Sequence, residues 1–151
     1  MRTYTVAASA ELSAAAAACY AVIADYREGH LRIVPPNVFG AIDVEEGGVG
    51  EGTRIRVPVR GLGGTRLLRL VVTEPEPGRI LAERNPDTGT VTHFTVDPVG
   101  TARARVTIRT DFVQPPGIRA ALEAWITRRV VPRVFREERA RLEAVASGRA
   151  V

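Results

Sequence analysis

The spacing of apolar and polar positions changes twice along this chain, dividing it into a short mixed start, a long alternating middle and a helical end. Tyr4 to Ala8 alternates as a short strand. Ser9 or Ser13 stands where a side-chain oxygen can cap a helix running from Ala14 through Cys19, Tyr20, Val22 and Ile23 to about Asp25. Alanines dominate one side of it, which lets another element approach closely. Tyr26 to Val34 predicts a second, short helix. Pro35 and Pro36 stop it, because proline has no N–H and pushes the preceding residue out of the helical region.

From Val38 the period is two. Val38–Glu45, Thr53–Arg60, Arg66–Glu74, Arg79–Arg84, Thr90–Asp97 and Ala102–Phe112 read as six strands. Glycine and proline clusters separate them, such as Gly47, Gly48, Gly50 and Gly52, then Gly61, Gly63 and Gly64. Parallel strands need helical crossovers, and these connections are too short for any, so the sheet is expected to be an antiparallel meander. After Pro115 and Pro116 the period returns to about 3.6. Ile118, Leu122, Trp125, Ile126 and Val130 line one face of a helix over 117–146, which Val134, Phe135, Leu142 and Val145 continue. Pro132 lies inside it and is expected to kink it near Val131. The fold class is therefore α+β, a curved antiparallel sheet closed by one long C-terminal helix, with two short helices after the first strand. A gap between two such layers is a place for a small molecule.

Composition adds little to this picture and excludes several classes. At 151 residues, 45% of them hydrophobic and 25% charged, the chain is expected to form one domain over 1–151 with a real core. No apolar run approaches the roughly 20 residues needed to span a bilayer. The start of the chain lacks the apolar stretch and cleavage site of a signal peptide, so a cytoplasmic location is expected. One cysteine, Cys19, forms no internal disulfide and reads as a small buried apolar residue.

The net charge is +4 and the sequence pI about 10.2, values that suggest nucleic acid. All 21 basic residues are arginine, however, a bias that points to a GC-rich bacterial genome rather than to a partner. Arg54, Arg56 and Arg60 alternate with Ile55, Val57 and Val59, and Arg103, Arg105 and Arg109 with Ala104, Val106 and Ile108. That is the solvent face of strands. The one denser stretch, 128–141, is interrupted by Glu137 and Glu138. No nucleic-acid partner is expected; a homodimer is the candidate assembly.

Several segments carry a specific resemblance: Val22-Ile23-Ala24-Asp25-Tyr26 at the end of the first helix, and Gly50-Glu51-Gly52-Thr53 before a strand. Two more are Val72-Thr73-Glu74-Pro75-Glu76-Pro77-Gly78-Arg79 and His93-Phe94-Thr95-Val96-Asp97-Pro98. Together with the element order they resemble the helix-grip fold of the SRPBCC superfamily, which includes START, Bet v 1-like and polyketide cyclase/dehydrase proteins. The resemblance covers nearly the whole chain. It implies a cavity between the sheet and the last helix, with the second short helix at its mouth. Its members include carriers, cyclases, co-chaperone domains and oxygenases, so it fixes no activity.

Candidate chemistry is sparse. The oxygenase branch needs two histidines and a carboxylate around iron, but the chain has only His30 and His93, on different elements. With one cysteine there is no zinc set either, and neither metal nor cofactor is expected. Tyr26 and His30, four residues apart, can share a helical face, and His30 suits general acid–base work on a carbonyl. Asp25 either orients His30 or ends the first helix. His93 points outward with Thr95 and Asp97 by alternation. Glu83 and Arg84 lie on opposite faces of one strand, and whichever points inward is a buried charge in need of a partner or ligand.

Trp125 offers an indole for ligand contact or for the core. Phe94, Phe112, Leu70, Val57 and Leu122 are the expected cavity walls. Two functions follow: binding of a small hydrophobic molecule (lipid, aromatic or polyketide-like), or a polyketide cyclase/dehydratase using the same cavity, with His30 as general acid–base and Tyr26 as its catalytic companion.

Overall fold

The computed structural model describes residues 2–61 and 63–148. The predicted domain limits, residues 1 and 151, lie outside them. Its elements run β1 (Arg2–Leu12), α1 (Ala16–Ala24), α2 (Gly29–Ile33), β2 (Asp43–Glu46), β3 (Arg54–Gly61), β4 (Gly64–Glu76), β5 (Ile80–Arg84), β6 (Val91–Val99), β7 (Arg103–Gln114) and α3 (Ile118–Ala146). All seven strands form one sheet in the order β1-β7-β6-β5-β4-β3-β2, with every neighbour antiparallel. β2 to β7 are the expected meander. β1 closes onto β7, so the α1–α2 segment carries the chain from one edge of the sheet to the other.

One face of the sheet is apolar. Ile55, Val72, Leu81, Phe94, Val96, Val106 and Ile108 point to the core, where they meet Cys19 and Ile23 of α1, Ile33 of α2, and Phe135 and Leu142 of α3. The other face is the arginine-rich one, with cross-strand pairs such as Arg105–Glu11 and Arg79–Asp97. Cys19 is fully buried, and burial raises its thiol above the usual range, as suits an inert core residue. No helix among the described residues is long and apolar enough to cross a membrane.

The structure corrects several boundaries. β1 is longer than Tyr4–Ala8, because it pairs with β7 from Arg2↔Gln114 to Leu12↔Ala104 and the ladder overrides the weak alternation of its Ala and Ser residues. Ser9 is therefore in a strand and caps nothing. Ser13 is no cap either: the N-cap of α1 is Ala15, and the Ser13 hydroxyl accepts from Arg103 instead. The second helix is only Gly29–Ile33, with Tyr26 in the turn before it. β2 starts at Asp43; Phe39 makes one isolated bridge to Val59.

The largest correction concerns α3. The stripe of Ile118, Leu122, Trp125 and Val130 is exposed, and the buried residues are Ala124, Phe135, Glu138 and Leu142. At about 100° per residue these four share one face, while Trp125 and Leu122 lie roughly 100° and 160° around the helix from Ala124. Side-chain size misled the pattern, since the inward face uses a small alanine and a glutamate. α3 packs most closely on β1, α1, α2 and β7.

Candidate functional site

The site begins at the junction of α1 and α2, which the glycine-rich turn grips. The Tyr26 N–H donates to the Gly48 carbonyl at 2.8 Å, and the Gly50 N–H donates to Ala24 at 2.9 Å. The Asp25 carboxylate accepts from the N–H groups of Arg27 and Glu28 and closes the turn, while its backbone carbonyl accepts the His30 N–H at 2.7 Å. Gly29 then brings α2 onto α1, since a Cβ there would stand 2.6 Å from the Val22 carbonyl oxygen.

That approach fixes His30. Its ring is buried, and Nδ1 lies 2.7 Å from the Ile23 carbonyl oxygen. A carbonyl only accepts, so Nδ1 carries the proton and Nε2 faces the interior. Tyr26 stacks on the imidazole at 4.3 Å between ring centroids, and Phe94 meets its edge at 5.7 Å. Nε2 lies 3.4 Å from Glu83 Oε1, to which the Tyr26 hydroxyl also donates at 2.5 Å. Glu83 faces inward because β5 alternates: Leu81 and Glu83 share the core face, in register with Val72, Thr92 and Thr110. Arg84 is exposed, and His93 lies on the outer face opposite Arg109.

A fourth polar group enters from the opposite layer. Glu138 of α3 is only 6% exposed, yet among the described residues it has no hydrogen bond or ion pair. Burial first, and the Glu83 carboxylate second, hold its carboxyl well above the usual range. The Tyr26 phenol is likewise pushed well up, by burial and then by the Glu83 charge and hydrogen bond. No arginine among the described residues pairs with either glutamate, and no group of three His, Cys, Asp or Glu side chains there is placed to hold a metal. Tyr26, His30 and Glu83 thus contact one another directly, and Glu138 joins them in a buried polar cluster through its electrostatic coupling to Glu83 and Tyr26.

Three comparisons bear on this geometry. No family model and no curated protein matches the sequence. Solved structures do match over nearly the full length. The KanY protein superposes with a TM-score of 0.83 at 22% identity, covering 98% of this chain and 100% of that one. The Zhui aromatase/cyclase from Streptomyces sp. R1128 gives 0.70 at 19%, covering 99% and 100%. A START superfamily protein from Mycobacterium smegmatis gives 0.69 at 14%, covering 95% and 97%.

The chain has an SRPBCC-type fold. Against that helix-grip frame the predicted site residues divide into two groups. The structure brings His30 and Tyr26 together, and Phe94, Phe112, Leu70 and Val57 all lie on the concave face of the sheet. Phe94 and Val57 are buried. Leu70, Thr92 and Phe112, on the same face, keep partial exposure. Phe112 stacks on Tyr4 at 4.9 Å. Trp125, 53% exposed, and Leu122, 57% exposed, are not on the buried face of α3, and the Trp125 ring lies instead under the Arg129 guanidinium at 4.4 Å. Glu138 escaped the sequence reading, where it counted only as a break in an arginine-rich stretch. Its signal was its position on the stripe of Ala124, Phe135 and Leu142. A separate cleft of about 360 Å³ near the start of α3 is lined by Arg2, Gln114, Pro115, Pro116, Gly117 and Ala121, and none of the four polar residues borders it.

Proposed function

We propose that this protein binds a small, largely apolar molecule between the concave sheet face and α3, and that the buried cluster holds the polar end of that molecule. The observation that carries this reading is Glu138, a carboxyl on the inward face of α3 that is only 6% exposed and makes no hydrogen bond or ion pair among the described residues. Burying such a group is unfavourable unless something hydrogen-bonds to it. Phe94, Phe112, Leu70 and Val57 supply the apolar walls. Trp125 and Leu122 belong to the site only if α3 turns them inward on binding.

A second reading, a polyketide cyclase/dehydratase, is favoured by the Glu83–His30 pair. The imidazole, held through Nδ1 and stacked on Tyr26, presents Nε2 where a proton can be taken from or returned to a carbonyl substrate. Tyr26 is a positioning residue in this scheme, because its hydroxyl is committed to Glu83. One of the similar folds is described as an aromatase/cyclase, which agrees with this second reading without deciding it.

The test is thermal unfolding against fatty acids, sterols and aromatic polyketides. A ligand at a hundred times its Kd stabilises the folded state by about 2.7 kcal/mol, roughly 5–10 °C for a chain of this size. Silence across the panel refutes the binding reading. For a compound that binds, a carrier predicts no conversion, whereas the enzyme predicts turnover that collapses in His30→Gln while binding persists.

A further inference from the structure

Counting donors in the buried cluster leaves one uncommitted. The Tyr26 O–H goes to Glu83 Oε1 and the His30 Nδ1–H goes to the Ile23 carbonyl. Nε2 and Glu83 Oε1 lie 3.4 Å apart, and Oε1 accepts the Tyr26 hydroxyl. Glu138 is the exception. It lies on the buried face of α3, is coupled electrostatically to Glu83 and Tyr26, and makes no hydrogen bond among the described residues.

A buried carboxyl with no hydrogen-bonding or cationic partner holds its proton, because burial disfavours its charged form and the Glu83 carboxylate adds to that. A carboxyl that keeps its proton is a donor. The complementary ligand atom is an oxygen acceptor, with the rest of the molecule lying on Phe94 and Phe112.

Resting on the binding reading above, we infer that Glu138 is the specificity-determining donor of the site, giving its hydrogen bond to a carbonyl oxygen and so selecting ketones over hydrocarbons of the same shape. Glu83, which accepts the Tyr26 hydroxyl and has His30 Nε2 at 3.4 Å, is the acceptor side of the pair. An amine ligand is the competing occupant. It would draw the proton off Glu138 and sit between two carboxylates.

The experiment uses 9-fluorenone, fluorene and 9-aminofluorene as probes on the full chain, by calorimetric titration and thermal shift. Wild type is expected to prefer fluorenone over fluorene by about tenfold, the worth of one good buried hydrogen bond. Glu138→Gln, whose amide still donates, keeps most of that preference. Glu138→Leu loses it while still binding fluorene, and unfolds at a higher temperature than wild type in the absence of ligand. Equal affinity for fluorenone and fluorene in wild type overturns the role of Glu138 and leaves the pocket standing. Tightest binding of 9-aminofluorene, with proton release seen as a buffer-dependent enthalpy, overturns it in favour of a cation site. A Glu138→Leu protein that unfolds at a lower temperature overturns it too, because the carboxyl is then a satisfied structural group. Binding of none of the three removes the pocket and this inference together.

Discussion

Tyr26→Phe removes one hydroxyl and little else. Tyr26 is fully buried, stacks on His30 at 4.3 Å and donates to Glu83 Oε1 at 2.5 Å. Phenylalanine keeps the ring, its stacking and nearly all its volume. The loss is a single hydrogen bond to a carboxylate, worth about 1.5–3 kcal/mol when buried. Glu83 then keeps only the imidazole at 3.4 Å. A destabilisation of about 2 kcal/mol corresponds to a fall in Tm of roughly 4–8 °C for a domain near 150 residues. Urea unfolding at pH 7, followed by circular dichroism with an unchanged m-value, measures it directly. The cycle with Glu83→Gln isolates the pair, and a coupling of at least about 0.5 kcal/mol is expected between groups in direct contact. A Tyr26→Phe protein within about 0.5 kcal/mol of wild type, or more stable than it, refutes the claim that the Tyr26–Glu83 contact holds the cluster together.

Three further outcomes follow from the same coordinates. Because the Glu138 carboxyl titrates above its ordinary value of 4.5, the folded protein keeps a proton that the unfolded chain releases. The groups coupled to it are Glu83 from β5 and Tyr26 from the turn before α2. Stability therefore falls as pH rises above 4.5, with this group contributing up to about 1.4 kcal/mol per pH unit until its folded-state value is passed; Glu138→Gln should lack that slope, and parallel pH profiles for the two proteins would disprove it. Gly29→Ala places a Cβ 2.6 Å from the Val22 backbone oxygen and should cost about 1–3 kcal/mol in urea unfolding, as overpacking does. Trp125→Ala, at an exposed site held only under Arg129, should change stability by less than about 1 kcal/mol, and acrylamide should quench the wild-type indole readily.

How much of this was legible in the sequence depends on the range of the interaction that fixes each feature. The meander could be read because turn chemistry and two-residue alternation are local; β3 to β7 fall close to where glycine and proline clusters put them. The length of β1 could not, because eleven paired positions on β7 set it from across the chain. The inward face of α3 was misread for the same reason. A helix shows which residues share a face but not which face the sheet covers, and the larger apolar stripe is the exposed one here.

The cluster shows that limit most clearly. Its members come from the turn before α2, from α2, from β5 and from α3, so no spacing along the chain announces them. Only the Tyr26–His30 pair is local, and even that was assigned to a common helix when the turn actually holds Tyr26. Backbone packing at two glycines sets the two rings, Tyr26 and His30, among them. Gly29 admits the Val22 carbonyl, which sets the distance from His30 to Ile23 and hence which imidazole nitrogen is free. Gly48, at a φ of +140°, receives the Arg27 side chain where a Cβ would stand and accepts the Tyr26 N–H, which sets the height of the phenol over Glu83. A side chain at either glycine would shift the ring it positions, and with it the separation of 3.4 Å between His30 Nε2 and Glu83 Oε1. The glycines therefore belong to the chemistry of the site although neither has a group that can react.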